Sequence, residues 1–258
     1  MAASRWYRCW FISGSVLLTL LLSQCSRKFF LKSSSQQLYS ISAASDQDSS
    51  VIRFYRPYKQ GLDSQMNAVI GVCGSEIAPR RPNGALNNLV IDAMAEVARQ
   101  QSISFDFAHI NYKSLRVKLP AGDLRAFKIY EMMPFENLMV TVRLKGASIL
   151  DLFNYIAREG GDPISNASFK IAGGKATDIV INGKPLNFSE EYTILTSDYV
   201  ANGGDRADAY LQATSRKDYP LKVRDAILLY IKQQTAAGKI LEPKLDNRII
   251  GNKPRSNE

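Results

Sequence analysis

Histidine is almost absent: the 258 residues hold one, His109, inside an apolar run. A single imidazole does not build a two-metal centre, whose ions need several His, Asp and Asn ligands. No Ser/His/Asp arrangement is convincing around one strand-bound histidine, and no P-loop pattern is present. His109 therefore reads as a packed core residue. Cysteine is nearly as scarce. Of the three, Cys9 and Cys25 sit near the N-terminus and Cys73 stands alone in an apolar segment. That excludes an intrachain disulfide framework and a Cys-rich metal site, and places Cys73 in the core. No internal repeat is visible. The composition is otherwise ordinary for a folded chain long enough to bury a sizeable core.

The N-terminus departs from that composition. Arg5 and Arg8 precede an apolar run from Trp10 to Leu22, which exits through Ser23-Gln24-Cys25. A basic start, a run of this length and a small or polar exit form a secretory signal over residues 1–24. The run is short for a spanning helix. Cys25 resembles a bacterial lipoprotein cleavage site, so we expect an exported chain, lipid-anchored through Cys25 and facing the periplasm or the cell exterior. Simple secretion and an uncleaved anchor are the alternatives. Without residues 1–24 the chain keeps 31 basic and 24 acidic side chains, a net +7. That charge favours anionic partners such as phosphates. The basic residues are scattered, which argues against nucleic acid as a partner. Residues 26–50 hold nine serines with Gln, Lys and Asp and no periodicity, so 25–50 reads as a Ser-rich tether.

From Val51 the texture becomes that of a compact domain, 51–258. Residues 51–65 suggest a first helix and Met66–Cys73 a strand. Leu86, Leu89, Val90, Ala93, Met94 and Val97 form one helical face, with Pro82 and Asn83 as start signals. Residues 103–109 and 114–119 read as strands around a turn at Asn111. Leu138, Val140, Val142 and Leu144 alternate with Met139, Thr141, Arg143 and Lys145, which predicts a strand with one buried face. Gly146 opens a helix with Ile149, Leu152, Phe153 and Ile156 inward. Asn182-Gly183 is a hairpin signal. A last helix starts near Pro220 and buries Val223, Ile227, Tyr230 and Ile231. The irregular interspersion predicts an α+β fold, mixed sheets flanked by helices.

One stretch organises the rest: Tyr192-Thr-Ile-Leu-Thr-Ser-Asp-Tyr-Val-Ala-Asn-Gly-Gly-Asp205. A buried strand runs into Tyr199, then Gly203-Gly204 and Asp205. The glycines permit positive φ and close approach of another molecule, while ring and carboxylate offer stacking and hydroxyl acceptance.

Three other segments fall in register with it. They are Asn87-Asn-Leu-Val-Ile-Asp-Ala-Met94, Asn111-Tyr-Lys-Ser-Leu-Arg116 followed by Leu119-Pro-Ala-Gly122, and Met133-Pro-Phe-Glu-Asn137. In this order they resemble the C-terminal, substrate-binding domain of the 5′-nucleotidases over roughly residues 51 to 250, with Val223-Arg-Asp-Ala-Ile and Asn247-Arg248 as its closing helix and end. The resemblance implies a nucleoside-binding face. Phe135 and Tyr199 would sandwich the base, Asn137 and Asn111 would bond base edges or ribose, Asp205 would accept from ribose hydroxyls, and Arg116 would reach ribose or phosphate. A further family arginine would be Arg80 or Arg81. The family's Gly-Gly-Gly is Tyr112-Lys113-Ser114 here. Family members also carry a metallophosphatase domain, which one histidine does not supply. The resemblance thus implies no catalytic residue or metal in this chain, and divalent metals only in a separate metallophosphatase partner. The chain would be the specificity half of a split 5′-nucleotidase. A stand-alone nucleoside-binding lipoprotein and a degenerate interaction module are the alternatives.

Overall fold

The computed structural model describes residues 33–40, 42, 47–243 and 245–251. The chain divides at Ser49/Ser50 into two units. Signal, Cys25 and much of the tether lie outside the described residues. Residues 33–40 are exposed and without regular structure.

In the second unit, α1 (Ser49–Met66) is followed by β1 (Val69–Cys73) and α2 (Ala85–Gln100). Next come β2 (Phe107–His109), β3 (Gly122–Arg125), α3 (Ala126–Met132), β4 (Leu138–Lys145) and α4 (Gly146–Arg158). A run of strands follows: β5 (Ile164–Ser165), β6 (Ala167–Ala172), β7 (Lys175–Ile181), β8 (Lys184–Pro185) and β9 (Glu191–Ser197). The chain closes with α5 (Asp198–Ala201), β10 (Ser215–Lys222), α6 (Val223–Ala236) and β11 (Ile249–Gly251). The fold is α+β, as the interspersed pattern predicts.

The centre is a five-stranded sheet ordered β10-β4-β9-β2-β5, mixed because β2 runs parallel to β9 while β4 pairs antiparallel with it. A four-stranded sheet, β11-β6-β7-β8, and the β1-β3 pair complete the unit. Alternate residues of the central strands feed two cores. Ala108, Met139 and Leu195 join a cluster with α2 and α6, and Phe107, Val140, Val142 and Ile194 join one with α4. The expectation of one buried face for β4 is therefore corrected: Met139 and Thr141 are buried too, because layers cover both sides of the sheet. On α4 the stripe Ile149, Leu152, Phe153 and Ile156 is fully buried, each side chain contributing about 1.5–3 kcal/mol of apolar burial.

Other corrections are local. Residues 114–119 form no strand. The chain makes a 3-10 turn at Tyr112–Ser114, and Leu119 bridges only Ile77. Of 103–109, Phe107–His109 alone pairs. The last helix begins at Val223, with Pro220 inside β10. Its Tyr230 is half-buried. On α2 the N-cap is Gly84, while the Asn87 side chain holds the Arg80 N–H at 3.3 Å and its C=O at 3.0 Å. Asp92 on α2 is gripped by Arg248, whose two terminal nitrogens lie 2.8 and 2.9 Å from its oxygens. The motif residues Asn87, Asp92 and Arg248 thus hold helix and tail in place.

Candidate functional site

Four short segments meet beside the central sheet. The turn after β2 brings Asn111 and, through Leu115, Arg116. The segment between α3 and β4 brings Phe135 and Asn137. Strand β9 runs into α5, which carries Tyr199, and the following 3-10 turn, Gly204–Arg206, carries Asp205. Together these side chains line a cavity of about 260 Å³, with Lys113 and Ser114. Six of the eight sequence-expected residues line one cavity.

Asp205 organises its floor. Asn111 Nδ2 donates to Oδ2 at 2.6 Å and the Tyr199 hydroxyl donates to Oδ1 at 3.2 Å, with Lys113 Nζ 3.8 Å from the same oxygen. Asp205 itself sits at φ 56, ψ 21, and Arg206 at φ 66. Left-handed backbone costs a non-glycine residue on the order of 1–3 kcal/mol, and it aims the carboxylate into the cavity. Tyr199 is 43% exposed and lines the cavity. The Arg116 guanidinium lies 5.1 Å from the Phe135 ring centroid, a cation over a π face.

The two glycines have different duties. Gly203 takes φ 81, the left-handed conformation expected of this turn. Gly204 does not use positive φ. A Cβ there would lie 2.5 Å from Tyr199 Cε1 and 2.6 Å from the Tyr199 carbonyl oxygen. Within the protein, the Tyr199 ring and its backbone carbonyl make the close approach at Gly204.

Behind the cavity lies a buried polar cluster absent from the sequence reading. Asp162, about 1% exposed, accepts from the Tyr112 N–H at 3.1 Å and from Arg81 at 3.2 Å, and stands 3.4 Å from His109 Nε2. His109 Nδ1 meets the Tyr210 hydroxyl at 2.8 Å. Arg81 also covers the Tyr112 ring, 4.5 Å from its centroid. Of the two candidate arginines, Arg80 is exposed and Arg81 is the one beside this turn. Burial among carboxylates pushes the hydroxyls of Tyr155 and Tyr210 upward, desolvation being the larger cause in both. Lys113 links the cluster to the cavity, 3.6 Å from Glu159 and 3.8 Å from Asp205. His109 is core, as expected, but inside a polar network. The overlooked signal is Gly160-Gly161-Asp162, a second Gly-Gly-Asp triplet. Gly161 lets the Pro82 backbone approach to 2.4 Å of where a Cβ would be.

The Phe135 turn is pinned from α6. Arg224, itself buried, donates to the Phe135 carbonyl oxygen at 3.3 Å and to Glu136, and its guanidinium lies 4.2 Å from the Tyr130 ring centroid. Lys222 adds a second cation to Glu136. Hydrogen bonds from Lys222 and then Arg224 hold the Glu136 carboxyl down at about 2. Among the described residues no group of three or more His, Cys, Asp or Glu stands together to hold a metal ion.

An α+β domain with this loop constellation defines a class, and residues 68–212 match the family described as "5′-nucleotidase, C-terminal domain". The chain belongs to that family. It is 25% identical over 184 residues to a 5′-nucleotidase of Vibrio vulnificus, covering 69% of this chain and 33% of that protein. The Escherichia coli protein UshA is 24% identical over 177 residues, 67% of this chain and 32% of its own. The solved 5′-nucleotidase precursor of Thermus thermophilus shares the fold, with TM-score 0.66 at 24% identity over 78% of this chain and 43% of that one. The chain spans about a third of the length of these sequence relatives.

Proposed function

We propose that this domain holds the nucleoside part of a nucleotide, as the specificity half of a split 5′-nucleotidase. The observation that carries the reading is the single cavity lined by Asn111, Arg116, Phe135, Asn137, Tyr199 and Asp205. The base stacks between Phe135 and Tyr199, a contact worth about 1–3 kcal/mol per base and tolerant of base identity. Asp205, pre-aimed by Asn111, accepts from ribose hydroxyls, while Arg116 and Lys113 supply positive charge for the phosphate side. Ester hydrolysis needs divalent metals, and these come from a separate metallophosphatase chain that docks the phosphate against its ions. Export, with a lipid anchor at Cys25, places the reaction outside the cytoplasm.

Calorimetric titration of the protein with adenosine and then AMP tests the binding half. Saturable binding, tighter for AMP, supports it; no heat with either at millimolar ligand removes it. Nucleotidase activity that arises only on mixing with a metallophosphatase chain supports the split. Binding without such activity favours a stand-alone nucleoside-binding lipoprotein.

A further inference from the structure

Helix α1 (Ser49–Met66) buries none of its residues. It is nonetheless amphipathic. Phe54, Tyr55, Tyr58 and Leu62 stand at i, i+1, i+4 and i+8, one stripe of the helix. That stripe faces solvent: Phe54 is 73% and Tyr58 72% exposed. The two rings pack on each other, centroids 5.9 Å apart, and nothing from the folded unit covers them. The opposite face carries Arg53, Arg56, Gln60 and Ser64. Ion pairing on the helix is limited, among the described residues, to Lys59 with Asp63, which leaves Arg53 and Arg56 as uncompensated cations.

We propose that α1 lies in the surface of an anionic lipid bilayer, stripe down and arginines among the headgroup phosphates. An amphipathic helix of low net hydrophobicity, with basic residues opposite aromatic and aliphatic ones, lies in the membrane interface. Aromatic rings with polar tips, such as Tyr55 and Tyr58, suit the headgroup level. The 18 residues span about 27 Å, enough for two cationic turns to meet several headgroups. The chain is basic overall, so no long-range repulsion opposes the approach. With Cys25 lipidated, as the export reading expects, α1 starts 24 residues after the anchor, and weak interfacial binding becomes intramolecular. The inference is independent of the nucleoside reading, since α1 contributes nothing to the cavity.

The test is hydrogen exchange of residues 49–66 in the full chain, on phosphatidylcholine vesicles with and without phosphatidylglycerol. The lipid at Cys25 attaches the protein to both, so the comparison isolates the helix. The expected result is amide exchange in α1 at least tenfold slower on the anionic vesicles, reversed by high salt. The Arg53→Glu/Arg56→Glu variant returns it to the rate on neutral vesicles, and Phe54→Ser/Tyr58→Ser also abolishes the protection. Because α1 has no buried residue, both variants keep the parent's thermal unfolding. Equal exchange on the two vesicle types overturns the proposal. So does protection without vesicles that grows with protein concentration, which assigns the stripe to a second copy of the chain.

Discussion

Asn111 Nδ2 donates to Asp205 Oδ2 at 2.6 Å, joining two loops 94 residues apart in the chain. The bond holds the carboxylate in place before any ligand arrives, so little ordering remains to oppose binding. Replacing Asp205 with Ala removes the acceptor and leaves the Asn111 amide without its partner, while Lys113 keeps Glu159. Phe135→Ala removes one stacking face. Each variant is expected to bind adenosine at least tenfold more weakly, about 1.4 kcal/mol, measured by calorimetry. If both bind like the parent, ligand does not sit in this cavity.

Gly204 gives a sharper test of the Tyr199 ring. A methyl group at 204 would fall 2.5 Å from Tyr199 Cε1, inside any tolerable contact. The ring must swing aside, and the backbone must also draw back from the Tyr199 carbonyl oxygen 2.6 Å away, so the hydroxyl gives up its bond to Asp205. Gly204→Ala is expected to lose affinity as far as Tyr199→Ala does, with a far-ultraviolet spectrum like the parent's. Full affinity in Gly204→Ala, beside a loss in Tyr199→Ala, would show that the ring moves without consequence.

Most of the cavity lining was legible because its Asn, Asp and Arg residues are of types a buried apolar core has no use for, and its two aromatics stand at turn positions with a known family order. The helices α2 and α4 were equally plain, since each carries an unbroken apolar face. Other features were hidden for physical reasons. Residues 114–119 are apolar enough for a strand, yet the 3-10 turn at 112–114 redirects the chain and Leu119 finds only one bridge partner. Alternation in β4 could not reveal a second covered face, because Met and Thr suit either environment. Asp162 went unread because local sequence does not distinguish a carboxylate in an exposed turn from one enclosed by Arg81, Tyr112 and His109.

That enclosure sets the next expectation. The family's three glycines are absent from the 112–114 turn, and Asp162 fixes the turn from behind through the Tyr112 N–H. Asp162→Ala strands this donor and takes the shared carboxylate from Arg81, which keeps Glu159 at 3.7 Å, and from His109, which keeps the Tyr210 hydroxyl. Breaking a buried charge cluster from one side costs on the order of 3 kcal/mol, which for a domain of this size lowers Tm by about 6–12 °C. Asp162→Asn keeps an acceptor for Tyr112 and should fall between. Thermal unfolding by circular dichroism reads both. A Tm for Asp162→Ala within a degree of the parent would mean the turn stands without it.

Glu136 gives the turn carrying Phe135 a pH dependence with a definite sign. Its carboxyl is lowered from 4.5 to about 2, first by the Lys222 hydrogen bond and then by that of Arg224. The folded state therefore prefers the ionised form, and the stabilisation is complete above the unfolded value near 4.5. It is lost as pH falls from there through about 2, where both states are protonated. Glu136→Gln should melt below the parent at neutral pH and converge with it in acid. The gap should shrink with added salt, because the carboxylate is exposed and its attraction to the two cations is screened. A gap of constant size down to the acid limit would place the effect in side-chain packing rather than in charge, and would leave the turn to the Arg224 bond to the Phe135 carbonyl and the Val223 N–H bond to the Asn137 carbonyl.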